Sequence, residues 1–270
     1  MCELLALSSR EPVPLSFSLR ALAERSTPGH SARDGWGVAW YRDGAVTLQR
    51  EAAPASDSAL ARELAADGPP TALALLHIRH ATRGAVTLAN TQPFVRELDG
   101  RPHVFAHNGD LPGLTRDPRL ALAQLRPVGD TDSEHAFCAL LERLEPLWRH
   151  GVPELAARLD AVASFAAALR GYGPANFLYT DGEVLFAHGH RRLQADGQLA
   201  PPGLYWLQQH CLPDRATPQE LRFDGLCVGG GYQQALLLAS VPLNEEPWEP
   251  LAEGETLAVR AGVLLACRQP

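Results

Sequence analysis

Apolar residues along this chain fall mainly in short runs, not in long helical stripes. CELLALS (2–8), WGVAWYR (36–42), AVTLQR (45–50), ALALLHIRH (72–80) and HVFAHN (103–108) have the length and composition of strands. So do ANFLYTD (175–181), EVLFAHG (183–189), GLYWLQQ (203–209), LCVGGG (226–231), ALLLASVPL (235–243), ETLAVR (255–260) and VLLACR (263–268). WYRDGAV (40–46) and LYTDGEVLF (178–186) each set Asp-Gly between two apolar runs. A type I′ turn needs positive φ at both central residues, which these two types tolerate, so both segments predict hairpins. VRAGVLL (259–265) predicts a third.

Helical spacing is confined to a few stretches. Residues 56–66 carry a Ser/Asp start and an apolar stripe. Residues 132–149 set Phe137, Leu140, Leu141, Leu144 and Leu147 on one face, with Thr131 and Glu134 forming a T-x-x-E capping box. Residues 152–170 repeat the spacing with Leu155, Leu159, Val162, Ala166 and Leu169, and Gly171 supplies a stop. Many hairpins with a few helices predict an α+β fold, with antiparallel sheets covered by helices. The Pro-bearing stretch 211–220 is followed by too little chain for a second core, so residues 1–270 read as one domain.

Composition narrows the function classes. The chain of 270 residues is 46% hydrophobic and 20% charged, with a formal net charge of −7. That balance gives no basic footprint for nucleic acid and no attraction to an anionic membrane surface. No run approaches the length of a membrane-spanning helix. The five cysteines, Cys2, Cys138, Cys211, Cys227 and Cys267, are odd in number and include no C-x-x-C pair, which points to a reducing, cytoplasmic setting.

Cys2 stands directly after Met1. It could be a lipid anchor, a core residue, a zinc ligand or a nucleophile. The start of the chain has no basic segment followed by an apolar leader, which argues against the anchor. As a nucleophile Cys2 would require loss of Met1, which is expected before a small residue. Thiol and α-amine then share one residue. An α-amine pKa of about 7.7–8.0 leaves part of it neutral near pH 7, able to take the thiol proton.

Three further clusters resist a purely structural reading. HIRHATRG (77–84) closes an apolar strand and holds Arg79, which is suited to a bidentate carboxylate contact, though a structural ion pair is the simpler use. In AHNGDLPG (106–113), Asn108 and Gly109 could make an ordinary turn, or could offer a side-chain and a backbone N–H to an oxyanion. In VGDTDSEHAF (128–137), Asp132 could serve a helix N-terminus or a ligand ammonium group. Each is weak alone. Together they would hold an α-amino acid whose side-chain amide meets Cys2, which describes glutamine or a γ-glutamyl compound.

In their order and approximate spacing, MCELL, HIRHAT, NTQPF, AHNGDL and TDSE resemble the class II glutamine amidotransferases, of the N-terminal-nucleophile hydrolase superfamily, and most closely their stand-alone group. The resemblance covers nearly the whole chain, including ASVPLNEEPWEPLAEGETLAV near its end. It implies a four-layer αββα sandwich with two antiparallel sheets between helices. It implies Cys2 as nucleophile, Asn108 and Gly109 as oxyanion donors, Arg79 and Asp132 for the glutamine carboxylate and amino group, and Thr82 lining the pocket. It implies no cofactor and no metal. A separate ammonia-accepting synthase is a possible partner, because no synthase is fused.

Larger members carry YDSAG where this chain reads RDGWGVAW (33–40), so Trp36 is either a pocket-mouth or a core residue. Two other classes compete: a silent glutamine- or glutamate-sensing module, and a metal hydrolase built on His77/His80, His103/His107 or His188/His190.

Overall fold

The computed structural model describes residues 2–15, 34–82, 84–211 and 232–270. One sheet has seven strands: β1 (Glu3–Pro14), β2 (Trp36–Arg42), β3 (Ala45–Glu51), β4 (Pro70–Ile78), β11 (Tyr205–Cys211), β12 (Gln233–Ala239) and β13 (Glu249–Pro250). They lie in the order β13-β11-β12-β1-β4-β2-β3. A six-stranded sheet holds β5 (Phe94–Leu98), β6 (Arg101–Asn108), β7 (Asn176–Thr180), β8 (Leu185–His188), β14 (Thr256–Arg260) and β15 (Val263–Arg268), in the order β15-β14-β8-β7-β6-β5. Every pairing in both sheets is antiparallel. A small ribbon pairs β9 (Arg192–Leu193) with β10 (Leu199–Ala200).

Strand alternation builds the layers. In β1, Leu4 and Ala6 face inward to the other sheet, while Leu5 and Leu7 face outward. The inner faces meet in a core that includes Leu73, Leu75, Val104, Ala106, Leu178 and Leu236. Helix α1 (Ala59–Ala66) packs Ala61 and Ala65 on the outer face of the seven-stranded sheet. Helices α2 (Asp132–Trp148) and α3 (Leu155–Arg170) cover the six-stranded sheet with Phe137, Leu141, Trp148, Phe165 and Leu169. The result is the expected four-layer αββα arrangement.

Several local expectations change. Asp43–Gly44 and Ala261–Gly262 do adopt positive φ at both positions, and so does an additional pair, Asp99–Gly100, which joins β5 to β6. At Asp181–Gly182 only Gly182 does. There Asp181 turns its carboxylate inward, accepts from the Glu183 and Val184 N–H groups, and pairs with the buried Arg158 at 2.9 Å. The link is therefore a four-residue loop closed by a side chain.

The capping box is half formed. Thr131 accepts from the Glu134 N–H at 3.3 Å, but the Glu134 carboxylate turns to the Val128 and Gly129 N–H groups and to Arg96. Helix α3 starts at Leu155, not at 152, because residues up to Glu154 are outside the helix. In α2 the stripe ends on the fully buried Trp148, while Leu147 is exposed. Trp36 is a core residue, 2% exposed, with its indole N–H donated to Glu51. The expected strand 226–231, the stretch from 212 to 220, Met1 and Arg83 lie outside the described residues.

Candidate active site

The start of β1, the end of β4, the end of β6 and the start of β7 meet at one end of the sandwich. The register fixes this, because Glu3 pairs with Ile78 and Asn108 with Asn176. Cys2, Arg79, Asn108 and Asn176 share the alternation parity of the inner-face residues Leu4, Leu75, Ala106 and Leu178. The inner face is apolar through the middle of the sandwich and turns polar at this end.

Cys2 is half-buried and lies against the backbone of His80. Its sulfur receives the His80 N–H at 3.1 Å, and the thiol donates to the His80 carbonyl at 3.3 Å. Burial pushes the thiol pKa up, and the His80 N–H acts against that shift. The Cys2 carbonyl accepts from Asn108 Nδ2 at 2.6 Å. Asn176 in turn donates to the Asn108 carbonyl at 3.2 Å and accepts the His190 N–H at 2.7 Å.

Gly109 has a φ of 153°, and a Cβ there would stand 1.9 Å from the Pro174 carbonyl oxygen. No other residue type fits without moving the 173–175 loop. Beside it, His107 is buried and its Nδ1 shares a 2.9 Å hydrogen bond with Ser133. Burial lowers the His107 pKa, opposed mainly by the Asp132 carboxylate. Gln92 fixes the same strand by accepting the His107 N–H at 2.6 Å and donating to its carbonyl at 3.1 Å.

Arg79 is 4% exposed, and its guanidinium donates to the Ala85 carbonyl at 3.0 Å and the Gly84 carbonyl at 3.3 Å. Asn90 ties that loop to the next by donating to Ala85 and Asp130 and accepting the Asp130 N–H. Asp132, the first residue of α2, accepts from the Leu111 N–H at 2.7 Å and the Ser133 N–H at 2.8 Å. Its carboxylate thus joins the loop after Gly109 to the helix start.

Two adjoining cavities share Cys2, His80, Thr82 and Gly109. One adds Arg79, Gln92, His107 and Asp132, and the other adds Asn108, Asn176 and Arg192. All six residues singled out from the sequence therefore come together at the thiol. The sequence motifs NTQPF and RDGWGVAW contained Asn90, Gln92 and Asp34 without a role for them, and Asn176 and Arg192 were missed. Asp34 accepts the Ala81 N–H at 2.7 Å and lies 3.6 Å from the His80 ring. The buried Arg192 donates to the Ser240 carbonyl and to the Glu3 carboxylate, which also receives the Ser240 hydroxyl. Arg192 and Ser240 thereby hold the residue next to Cys2.

Of the six histidines in these pairs, all but His77 have a side-chain partner among the described residues, with His80 beside Asp34 and His107 bonded to Ser133. His103 bonds the Tyr179 hydroxyl at 2.6 Å, His188 bonds Thr256 at 2.9 Å, and His190 faces Glu253 at 3.5 Å. Among the described residues, no group of three His, Cys, Asp or Glu side chains could hold a metal ion. Among them too, no helix is long and apolar enough to cross a membrane.

Two antiparallel sheets between helical layers, with a polar site at one strand end, define the N-terminal-nucleophile hydrolase sandwich. Residues 1–270 match the family described as "Glutamine amidotransferases class-II", and the chain belongs to it. It is 34% identical over 257 residues to "Putative glutamine amidotransferase YafJ" of Escherichia coli (strain K12), a match that spans 94% of this chain and 96% of that protein. A crystal structure from Pseudomonas aeruginosa PA01, described as a "predicted glutamine amidotransferase", aligns with a TM-score of 0.68 at 28% identity, covering 98% of this chain and 100% of that one. The glutamine phosphoribosylpyrophosphate amidotransferase of B. subtilis shares the fold, with a TM-score of 0.60 at 17% identity over 99% of this chain and 49% of that one.

Proposed function

We propose that this protein hydrolyses the side-chain amide of glutamine or of a γ-glutamyl compound through a γ-glutamyl thioester on Cys2. The observation that carries the reading is the position of Cys2 where the two cavities meet, with Arg79 and Asp132 in one and Asn108 in the other.

Arg79 takes the α-carboxylate and Asp132 the α-ammonium group, an opposite-charge pair that fixes the orientation of an amino acid. Thr82 lines the approach to the thiol. Burial keeps the Cys2 thiol protonated at rest, so a base has to take its proton as it attacks. With Met1 removed, the neutral α-amine of Cys2 does so, and no separate histidine is required. The sulfur attacks the amide carbon. The oxyanion forms against Asn108 Nδ2, which has a second N–H besides the one given to the Cys2 carbonyl, and against the Gly109 N–H. The amine leaves with the proton carried by the α-amine. Water then resolves the thioester to glutamate. When glutamine is the substrate, a separate synthase would be the acceptor of the ammonia released.

Intact mass before and after exposure to a glutamine-analogue electrophile tests this reading. The expected result is a chain without Met1 that gains one adduct, located on Cys2 and absent in Cys2→Ala. A chain that retains Met1 yet releases glutamate, or a Cys2→Ala protein with normal turnover, would sink the proposal.

A further inference from the structure

The cavity on the Asn108 side of Cys2 has a volume of about 160 Å³ and lies away from Arg79 and Asp132. Its far wall is made by Asp110, Pro174, Asn176, Arg191, Arg192, Leu193 and Leu199. Most polar groups of that wall bond within the protein, and the Asp110 carboxylate interacts with His107. Arg192 is held by Glu3 and Ser240, and Arg191 donates to Glu253 at 2.6 Å. Asn176 donates to the Asn108 and Arg191 carbonyls and accepts the His190 N–H. The surface the cavity exposes is mainly apolar, and the Pro174 ring, the side chains of Leu193 and Leu199 and the aliphatic stems of the arginines supply it. The two leucines are 49% and 52% exposed on the short β9–β10 ribbon, two large apolar side chains left at the rim of the cavity that contains Cys2.

This inference rests on the function proposed above. If the α-amino-acid end of the substrate occupies the Arg79–Asp132 cleft and its amide carbon meets Cys2, one substituent remains to be placed, the one on the amide nitrogen. It points into the cavity on the other side. Glutamine carries only hydrogens there and would leave the cavity to water. We infer that this cavity is a leaving-group subsite for an apolar amine, and that the preferred substrates are γ-glutamyl alkyl- or arylamides. The thiol forms its bond to the amide carbon as the C–N bond breaks. The amine departs with the proton that the Cys2 α-amine took from the thiol. Water adds its oxygen to the carbonyl as the C–S bond breaks, so glutamate and the free amine are the products. No ammonia acceptor is needed for such substrates.

Glutamate release from glutamine and from γ-glutamyl benzylamide, compared by kcat/KM, tests the subsite. One added apolar group in a matched pocket gives roughly tenfold discrimination or more, so the benzylamide should exceed glutamine by at least about tenfold. Leu199→Asp and, separately, Leu193→Asp should collapse that ratio to about one. Both residues are half exposed on two-residue strands, so these changes spare the core. Val152→Asp, at an exposed position that lines neither cavity, should leave the ratio intact. Glutamine turned over as well as or better than the benzylamide would overturn the subsite while keeping the cysteine-hydrolase reading, and would mark the cavity as an exit for ammonia. A ratio unmoved by both leucine variants would also overturn it. Release of glutamate from neither substrate would remove the cysteine-hydrolase reading, and this inference with it.

Discussion

The middle and the end of the same four strands teach different lessons. At mid-sandwich, Leu4, Leu75, Ala106 and Leu178 meet across the sheets in a fully buried apolar layer. One or two steps further along the same parity stand Cys2, Arg79, Asn108 and Asn176. Arg79, Asn108 and Asn176 are as buried as the apolar layer, but each is held by directed hydrogen bonds. The middle is specified by shape and area, so it tolerates exchange of one aliphatic residue for another of similar volume. The end is specified by donors and acceptors, and losing one partner there leaves another unmet. Mutations should therefore separate stability from turnover according to where they fall along one strand.

The largest effect belongs to the middle. Leu75→Ala opens a cavity in the inter-sheet layer and should cost about 2–5 kcal/mol of unfolding free energy. Glutamate release per folded molecule should change little, which denaturant titration alongside active-site titration would reveal. At the site end, Asn108→Ala should do the reverse. Loss of an oxyanion donor raises the barrier by about 2.7–4 kcal/mol, a drop of about 10²–10³ in kcat. The melting temperature should move much less than in Leu75→Ala. If both variants lose stability and turnover in parallel, the division between middle and end is wrong.

The same division explains what could be read from the chain. Short apolar runs such as CELLALS, ALALLHIRH and HVFAHN identified the strands, Asp-Gly links identified the β2–β3 and β7–β8 hairpins, and Ala261–Gly262 identified a third. Cys2, Arg79, Asn108 and Asp132 stood out because each is a reactive or polar residue that interrupts an apolar pattern at a strand end or helix start, and Gly109 because it follows Asn108 in a turn. Asn176 interrupts ANFLYTD in the same manner, at the inner-face parity of Leu178, and that signal was available. Arg192 was not legible. It comes from a two-residue strand, and its partners Glu3 and Ser240 are 189 and 48 positions away in sequence. The β7–β8 hairpin forms as expected, but its link is not a type I′ turn, because Asp-Gly is also a pair in which the carboxylate can close a longer loop. The order of the strands within each sheet follows from long-range pairing, such as β1 with β12, which no local pattern encodes.

Arg192 offers a smaller, sharper probe of the site end. Its two arms reach the Ser240 carbonyl and the Glu3 carboxylate, and through Glu3 they set where Cys2 sits. Lysine keeps the charge but has no fork, so Arg192→Lys should satisfy one partner at most. A thiol displaced by a fraction of an ångström should lower kcat by about tenfold. The KM for glutamine should hold, because Arg79 and Asp132 are untouched. A rise in KM with unchanged kcat would show that Arg192 acts on binding and not on the position of the thiol.

His77 lies between the two regions, two residues after Leu75 and two before Arg79 on the same parity. It is fully buried, and neither ring nitrogen has a hydrogen-bond partner in the protein. Burial, with lesser contributions from the nearby His107 and Arg79, pushes its pKa down to about 3. Burial likewise lowers His103 to about 4 and His188 to about 3. In the unfolded chain each would titrate near about 6.5. Between that value and about 3–4 the unfolded state therefore binds more protons than the folded one, and stability falls as the pH falls. Above about 6.5 all three histidines are neutral in both states and contribute no slope. Each contributes on the order of 1.4 kcal/mol per pH unit within the window. His77→Leu should remove one proton from the slope measured between pH 6 and 5, and it breaks no hydrogen bond in the protein. Denaturant titrations at a series of pH values read the slope directly. An unchanged slope would mean that His77 is protonated in the folded protein, and that the polar end of the sandwich reaches one residue further inward along β4 than its hydrogen bonds indicate.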